Sequence, residues 1–192
     1  MILDSPRRKL NKKFDFEEHA HFLTFSCYRR LTLLTNDCRR RWLAEAIHSA
    51  REKHVFAPWA YVFMPEHVHL PLKPRRPVYR VAAFEHDLKL AAARRILTYL
   101  KKLKSPLLQQ LRIDATQSPL RFWQTGGGHD LNVWTIKKVF ENASYCHHNP
   151  VKRRLVKDPG HWYWSSYRWL ELGETDGQPL ALDDWDESLL SE

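Results

Sequence analysis

Cysteine, glycine and methionine are all scarce in this 192-residue chain, which holds three, six and two of them. The cysteines, Cys27, Cys38 and Cys146, are odd in number and show no Cys-x-x-Cys spacing. That pattern excludes a disulfide framework and a cysteine-rich zinc module, and leaves free thiols in a reducing compartment as the expectation. No apolar run approaches the roughly 20 residues that span a bilayer. The opening stretch, MILDSPRRKLNKKF, is basic without the apolar segment of a secretory signal, so a cytoplasmic protein is expected. Internal repeats are lacking as well.

What is present is a hydrophobic content of 43% with 8 Trp, 7 Tyr and 9 Phe, enough for one folded domain and too short a chain for two ordinary ones. Charge is unevenly spread. Residues 173–192 carry seven acidic and no basic residues, leaving 31 basic against 15 acidic residues, a net +16, on residues 1–172. A body this cationic has the footprint of a nucleic-acid binder, in which case the protein would be nucleoid-associated. Three regions are expected: a basic arm over 1–18, a globular domain over 19–172 and an acidic tail over 173–192. The tail could fold over the cationic body and compete with DNA, or serve as a disordered solubilising segment.

HFLTFSCY, 21–28, reads as a strand. Asp37 can cap a helix to about His54 with Leu43, Ala46, Ile47 and Ala50 on one face. FAPWAYVFM, 56–64, and HVHLPL, 67–72, read as hairpin partners, with pairing expected to end or bulge at Pro71 because proline lacks a donor. A long amphipathic helix follows from Val78 to about Lys104. RFWQTGGGH, 121–129, begins as a strand and ends in three glycines, and a last helix runs from Asn132 to about His148, before Pro150. The order β-α-β-β-α-β plus a helix predicts an α+β fold, a ferredoxin-like split βαβ unit. Its antiparallel sheet would have helices on one face plus a C-terminal helix.

Eleven histidines make a His-x-His pair weak on its own. His67 and His69 would point to one strand face with Val68 directed away. His19 and His21 could share that geometry, but lie where the first strand frays and read as a structural or surface pair. Tyr145 and Asn149, four apart, share a helix face from which Cys146 is turned by about 100°. His148 is a rival ligand at the same place. Glu66 reads as an exposed turn carboxylate, with a proton acceptor or a supporting partner of the two histidines as the alternative.

Taken together, MPEHVHL, RFWQTGGGHDLNV, YCHHNPVKRRLV and WYWSSYR, in this order and spacing, resemble the REP-associated tyrosine transposases, single-tyrosine HUH transposases of the insertion sequence 200 type, over roughly residues 20–170. The resemblance implies a divalent metal, Mg²⁺ or Mn²⁺, held by His67, His69 and Asn149, with His148 as the alternative to Asn149. It implies Tyr145 as nucleophile, now read as lying on a catalytic helix. The substrate it implies is single-stranded DNA beside a hairpin, nicked and rejoined through a 5′-phosphotyrosine link by a monomer or dimer. The chemistry is coherent: a phenol ordinarily ionises near about 10, low enough both to attack phosphorus beside a cation and to leave again. Arg94, Arg95, Lys101, Lys152, Arg153 and Arg154 are candidate phosphate contacts, and the aromatics could stack on bases. Two other readings stand beside this one: a non-catalytic binder of hairpin DNA or RNA, and a zinc-dependent phosphodiesterase in which water attacks.

Overall fold

A computed structural model of the chain describes residue 15 and residues 19–113, 119–126 and 128–185. The basic arm, apart from Asp15, and residues 186–192 of the tail lie outside the described residues. Among the described residues the strands and α-helices follow one another in the order β1 (Ala20–Ser26), α1 (Asp37–His54), β2 (Phe56–Pro58), β3 (Val62–Phe63), β4 (His67–Pro74), α2 (Val81–Lys102), α3 (Leu107–Gln110), β5 (His129–Val133), α4 (Ile136–His147), α5 (Asn149–Lys152) and α6 (Tyr167–Leu170).

The sheet is antiparallel throughout and runs β5, β1, β4, with β2 and β3 sharing the far edge of β4. This is the strand order of the expected split βαβ unit. Alternation along β4 sends Val68, Leu70 and Leu72 to one face and His67, His69 and Lys73 to the other. The first face packs on α1 and α2, where Leu43, Ile47, Leu88, Ile96 and Leu100 are fully buried. Each such side chain contributes about 2 kcal/mol. On the opposite face Phe22, Trp59, Val62 and Met64 pack with Val139 and Cys146 of α4. The sheet is therefore a partition, with its structural helices on one side and α4 on the other.

Pro71 does not end the pairing. Between the pairs Pro58↔Leu72 and Val62↔His69, three residues oppose two, so it is the partner strand that bulges. The amides of Trp59 and Ala60 both donate to the Pro71 carbonyl, at 2.9 and 3.4 Å. A residue's N and C=O point to the same side of a strand, so the donor missing at Pro71 falls at this bulge, where no regular ladder needs it.

Several boundaries differ from the sequence reading: the 56–64 run divides into β2 and β3, α2 starts at Val81 rather than Val78, and three further shifts concern α1, the last strand and the helix after it. Asn36, not Asp37, caps α1, its side chain accepting from the Cys38 amide at 2.9 Å. The last strand lies after the glycines rather than before them, with Trp123 making only an isolated bridge to Cys27. The following helix starts at Ile136, capped by Thr135, because Leu131 and Val133 belong to the ladder with β1. Gly128 explains the switch. At φ +72° it passes so close to β1 that a Cβ there would stand 2.3 Å from the Thr24 carbonyl.

Cys27 and Cys146 are buried and unpaired. Burial pushes the Cys27 thiol up to about 12 and raises that of Cys146 in the same way, so both are inert. Among the described residues no helix is long and apolar enough to cross a membrane.

The tail through Trp185 packs on the body, against the expectation of a disordered segment. Leu180 is buried, Asp183 bonds Arg51 at 2.5 Å and Arg75 at 2.7 Å, and Trp185 stacks on Trp59.

Candidate functional site

His67 and His69 point from β4 towards α4, both nearly buried. Their Nδ1 atoms are engaged from behind. His69 Nδ1 lies 2.8 Å from the hydroxyl of Thr24, its direct partner across the β1–β4 ladder. His67 Nδ1 lies 3.2 Å from Glu66 Oε1, and that carboxylate accepts from Arg153 at 2.7 Å. The two Nε2 atoms converge, 3.1 Å apart. Asn149 reaches the same point, its amide nitrogen 2.8 Å from His69 Nε2; a half-turn of the amide presents oxygen instead.

This arrangement has one electrostatic consequence. A His67 imidazole that donates through Nδ1 to a carboxylate carries its lone pair on Nε2, and His69 Nε2 accepts from Asn149. With the Asn149 oxygen turned inward and His69 protonated on Nδ1 towards Thr24, three acceptors converge instead, the two Nε2 atoms 3.1 Å apart, and such a set suits a cation. A proton is disfavoured. Burial, helped by His67 and Arg30, pushes His69 down to about 3. Burial also lowers His67, against the opposing pull of Glu66. A divalent cation fits the donor set, since two ligands at right angles and about 2.1 Å from one ion stand about 3 Å apart. Among the described residues no group of three or more His, Cys, Asp and Glu forms a metal cluster. The set is two imidazoles and an amide.

Tyr145 packs beside this cluster. Its ring meets that of His69 edge to face, centroids 5.8 Å apart, while 49% of the residue stays exposed. The Lys152 ammonium lies 4.4 Å from the centre of the Tyr145 ring. A turn of α4 thus carries the phenol, and the next turn, α5, carries Asn149 and Lys152, with Arg153 capping its C-terminal end.

His148 takes no part in the cluster. It is exposed and its Nδ1 is spent on the Ser144 carbonyl at 2.9 Å. His147 is buried against Ser166, 2.9 Å away. The other His-x-His pair is structural: His21 sits on the α1/α2 face between Asp130 and Tyr79, each at 2.9 Å, and His19 tilts against Trp134.

The coordinates align with a REP-associated tyrosine transposase bound to a REP hairpin, at a TM-score of 0.65 and 19% identity, covering 94% of this chain and 96% of that one. The chain has that transposase's fold. A candidate transposase from Deinococcus radiodurans R1 aligns less well, at a TM-score of 0.45 and 18% identity over 71% of this chain and 93% of that one. By sequence, no described protein family and no curated protein matches the chain.

On the transposase fold the six candidate phosphate contacts divide. Lys152 lies over the Tyr145 ring and Arg153 is tied to Glu66, with Arg154 next along the chain. Arg94, Arg95 and Lys101 lie on α2, on the far side of the sheet, where Arg95 pairs with Glu45 and covers Trp42. Thr24 escaped the sequence reading, and Glu66 entered it with support of the histidines only as the lesser of two alternatives. Thr24 needed the strand register to be seen. Glu66 is buried rather than an exposed turn carboxylate, and its signal was a carboxylate immediately before a candidate ligand.

Proposed function

We propose that the chain is a REP-associated, single-tyrosine HUH transposase that nicks and rejoins single-stranded DNA beside a hairpin, using Tyr145 as nucleophile. One observation carries this reading: a half-exposed tyrosine packs edge to face on His69, whose Nε2 converges with that of His67 and with the Asn149 amide. The fold likeness to a hairpin-bound transposase supports it.

His67, His69 and Asn149, its oxygen turned inward, would hold Mg²⁺ or Mn²⁺. Bound there, the ion supplies charge withdrawal at a nonbridging phosphate oxygen. Glu66 and Thr24 fix the two rings so that both Nε2 lone pairs stay in place. Tyr145 gives its proton to solvent and its oxygen bonds to phosphorus. The bond to the 3′ oxygen breaks, that oxygen takes a proton, and the 5′ phosphate stays on the tyrosine. Lys152, over the ring, keeps the ring aimed. Attack by a 3′-hydroxyl on the adduct reverses the sequence without an external energy source.

Labelled hairpin oligonucleotides with single-stranded flanks, incubated with Mn²⁺ or Mg²⁺, should yield a denaturant-resistant protein–DNA species that Tyr145→Phe and chelation both abolish. Survival of that species in Tyr145→Phe overturns the nucleophile assignment. Tight hairpin binding with no adduct on any flank identifies a binder instead, and cleavage without an adduct a water-using phosphodiesterase.

A further inference from the structure

One turn before Tyr145, α4 and the edge strand β5 enclose a small slot of about 130 Å³, lined by Leu131, Asn132, Val133, Trp134, Lys138 and Asn142. Its walls are mostly apolar, yet it opens to solvent beside two large apolar residues, Leu131 at 42% and Trp134 at 54% exposure. The volume is well below the roughly 300 Å³ at which pockets for drug-sized ligands begin, so it suits one flat ring system. Trp134, its ring tilted against His19, supplies an aromatic face, and Lys138, paired with Glu141 at 2.5 Å, lies in the wall. Asn142 adds an amide whose Nδ2 is buried without a hydrogen-bond partner. An acceptor edge brought within reach of that amide offsets the cost of leaving it unmet.

The position gives the slot its meaning. Lys138, Asn142, Tyr145 and Asn149 recur at spacings of four, three and four, which places them on one stripe of the α4–α5 helical path. Asn142 and Lys138 stand only about 4 to 10 Å along the axis from Tyr145. A strand whose phosphate lies at the phenol would carry its neighbouring nucleotide past this opening.

We propose that the slot takes one unpaired base of the DNA single strand next to the phosphodiester that Tyr145 attacks, with Trp134 stacking on it; this rests on the transposase reading above. Stacking on an exposed aromatic tolerates any base, so the slot sets strand position and path more than sequence.

The test uses the full chain and hairpin oligonucleotides whose single-stranded flank carries an abasic site at each position in turn. With wild type, one position should cost about five- to hundredfold in affinity. Trp134→Ala should bind the intact flank as weakly as wild type binds that abasic strand, and lose nothing more when the base is missing. Trp134→Phe should retain most of the affinity. A flat abasic scan overturns the slot, as does a Trp134→Ala loss that adds in full to the abasic loss at every position. So does a change in oligomeric state with DNA affinity unchanged, which assigns this surface to a second copy of the chain. Adduct formation at Tyr145 is read in the same samples: an adduct with a flat scan sinks only the slot, whereas neither binding nor adduct sinks the transposase reading and the slot with it.

Discussion

Thr24 stands directly across from His69 in the ladder, and its hydroxyl is the group that fixes the ring orientation. Thr24→Val keeps the shape and removes the bond. Mn²⁺ affinity, followed by calorimetric titration, should fall about tenfold while the melting temperature changes little. His147 offers a different test because it lies outside the candidate ligand set. Burial, with some help from His148, holds it down at about 4. An unfolded histidine takes its proton near about 6.5. Between those values the unfolded chain binds the extra proton, so stability is fully present above about pH 6.5 and declines as pH falls towards 4. His147 alone should contribute a loss of about 2 kcal/mol at pH 5. Denaturant melts of wild type and His147→Gln at pH 7 and pH 5 measure it, and the variant should show the smaller pH dependence.

At the scale of elements, Gly128 links the end of the glycine turn to the candidate site. A side chain there would meet both a positive φ and the backbone of Thr24. Gly128→Ala should cost at least about 2 kcal/mol in chemical denaturation, and should also weaken Mn²⁺ binding, since Thr24 must move. Gly126, also at positive φ, has nothing within 4 Å of its Cβ position, so its alanine variant should leave Mn²⁺ affinity unchanged.

The same elements show what a linear reading could and could not reach. Periodicity alone placed Leu43, Ala46, Ile47 and Ala50 on a buried helix face, because a 3.6-residue repeat is a local property. It also put His67 beside His69, and Tyr145 in line with Asn149. That the two pairs meet depends on α4 crossing β4, which motif order suggested and no spacing could supply. The pairing of Thr24 with His69 and the burial of Glu66 depend on register and on Arg153, 87 residues from Glu66. The last strand was misplaced because RFW has strand composition, whereas the chain turns at the positive-φ glycines before it joins β1.

For the whole molecule, the division of cations by the sheet makes a prediction about salt. Lys152→Ala and Arg154→Ala should each weaken single-strand binding and reduce the log–log salt slope by about 0.7. Arg94→Ala and Lys101→Ala, behind the partition, should leave the slope unchanged. Equilibrium titrations at four or five salt concentrations separate the two groups.

The short helix α5 ties these scales together. Asn149 touches His69, and Arg153, one turn on, holds the carboxylate behind His67. The Arg153 amide in turn donates to the Asn149 carbonyl at 2.9 Å. Both histidines are thus latched by a single turn, and its fraying would unlatch them in the same event rather than one after the other. Amide exchange at Arg153 should then slow in step with ion occupancy, giving a spectroscopic clock for assembly of the site that needs no DNA.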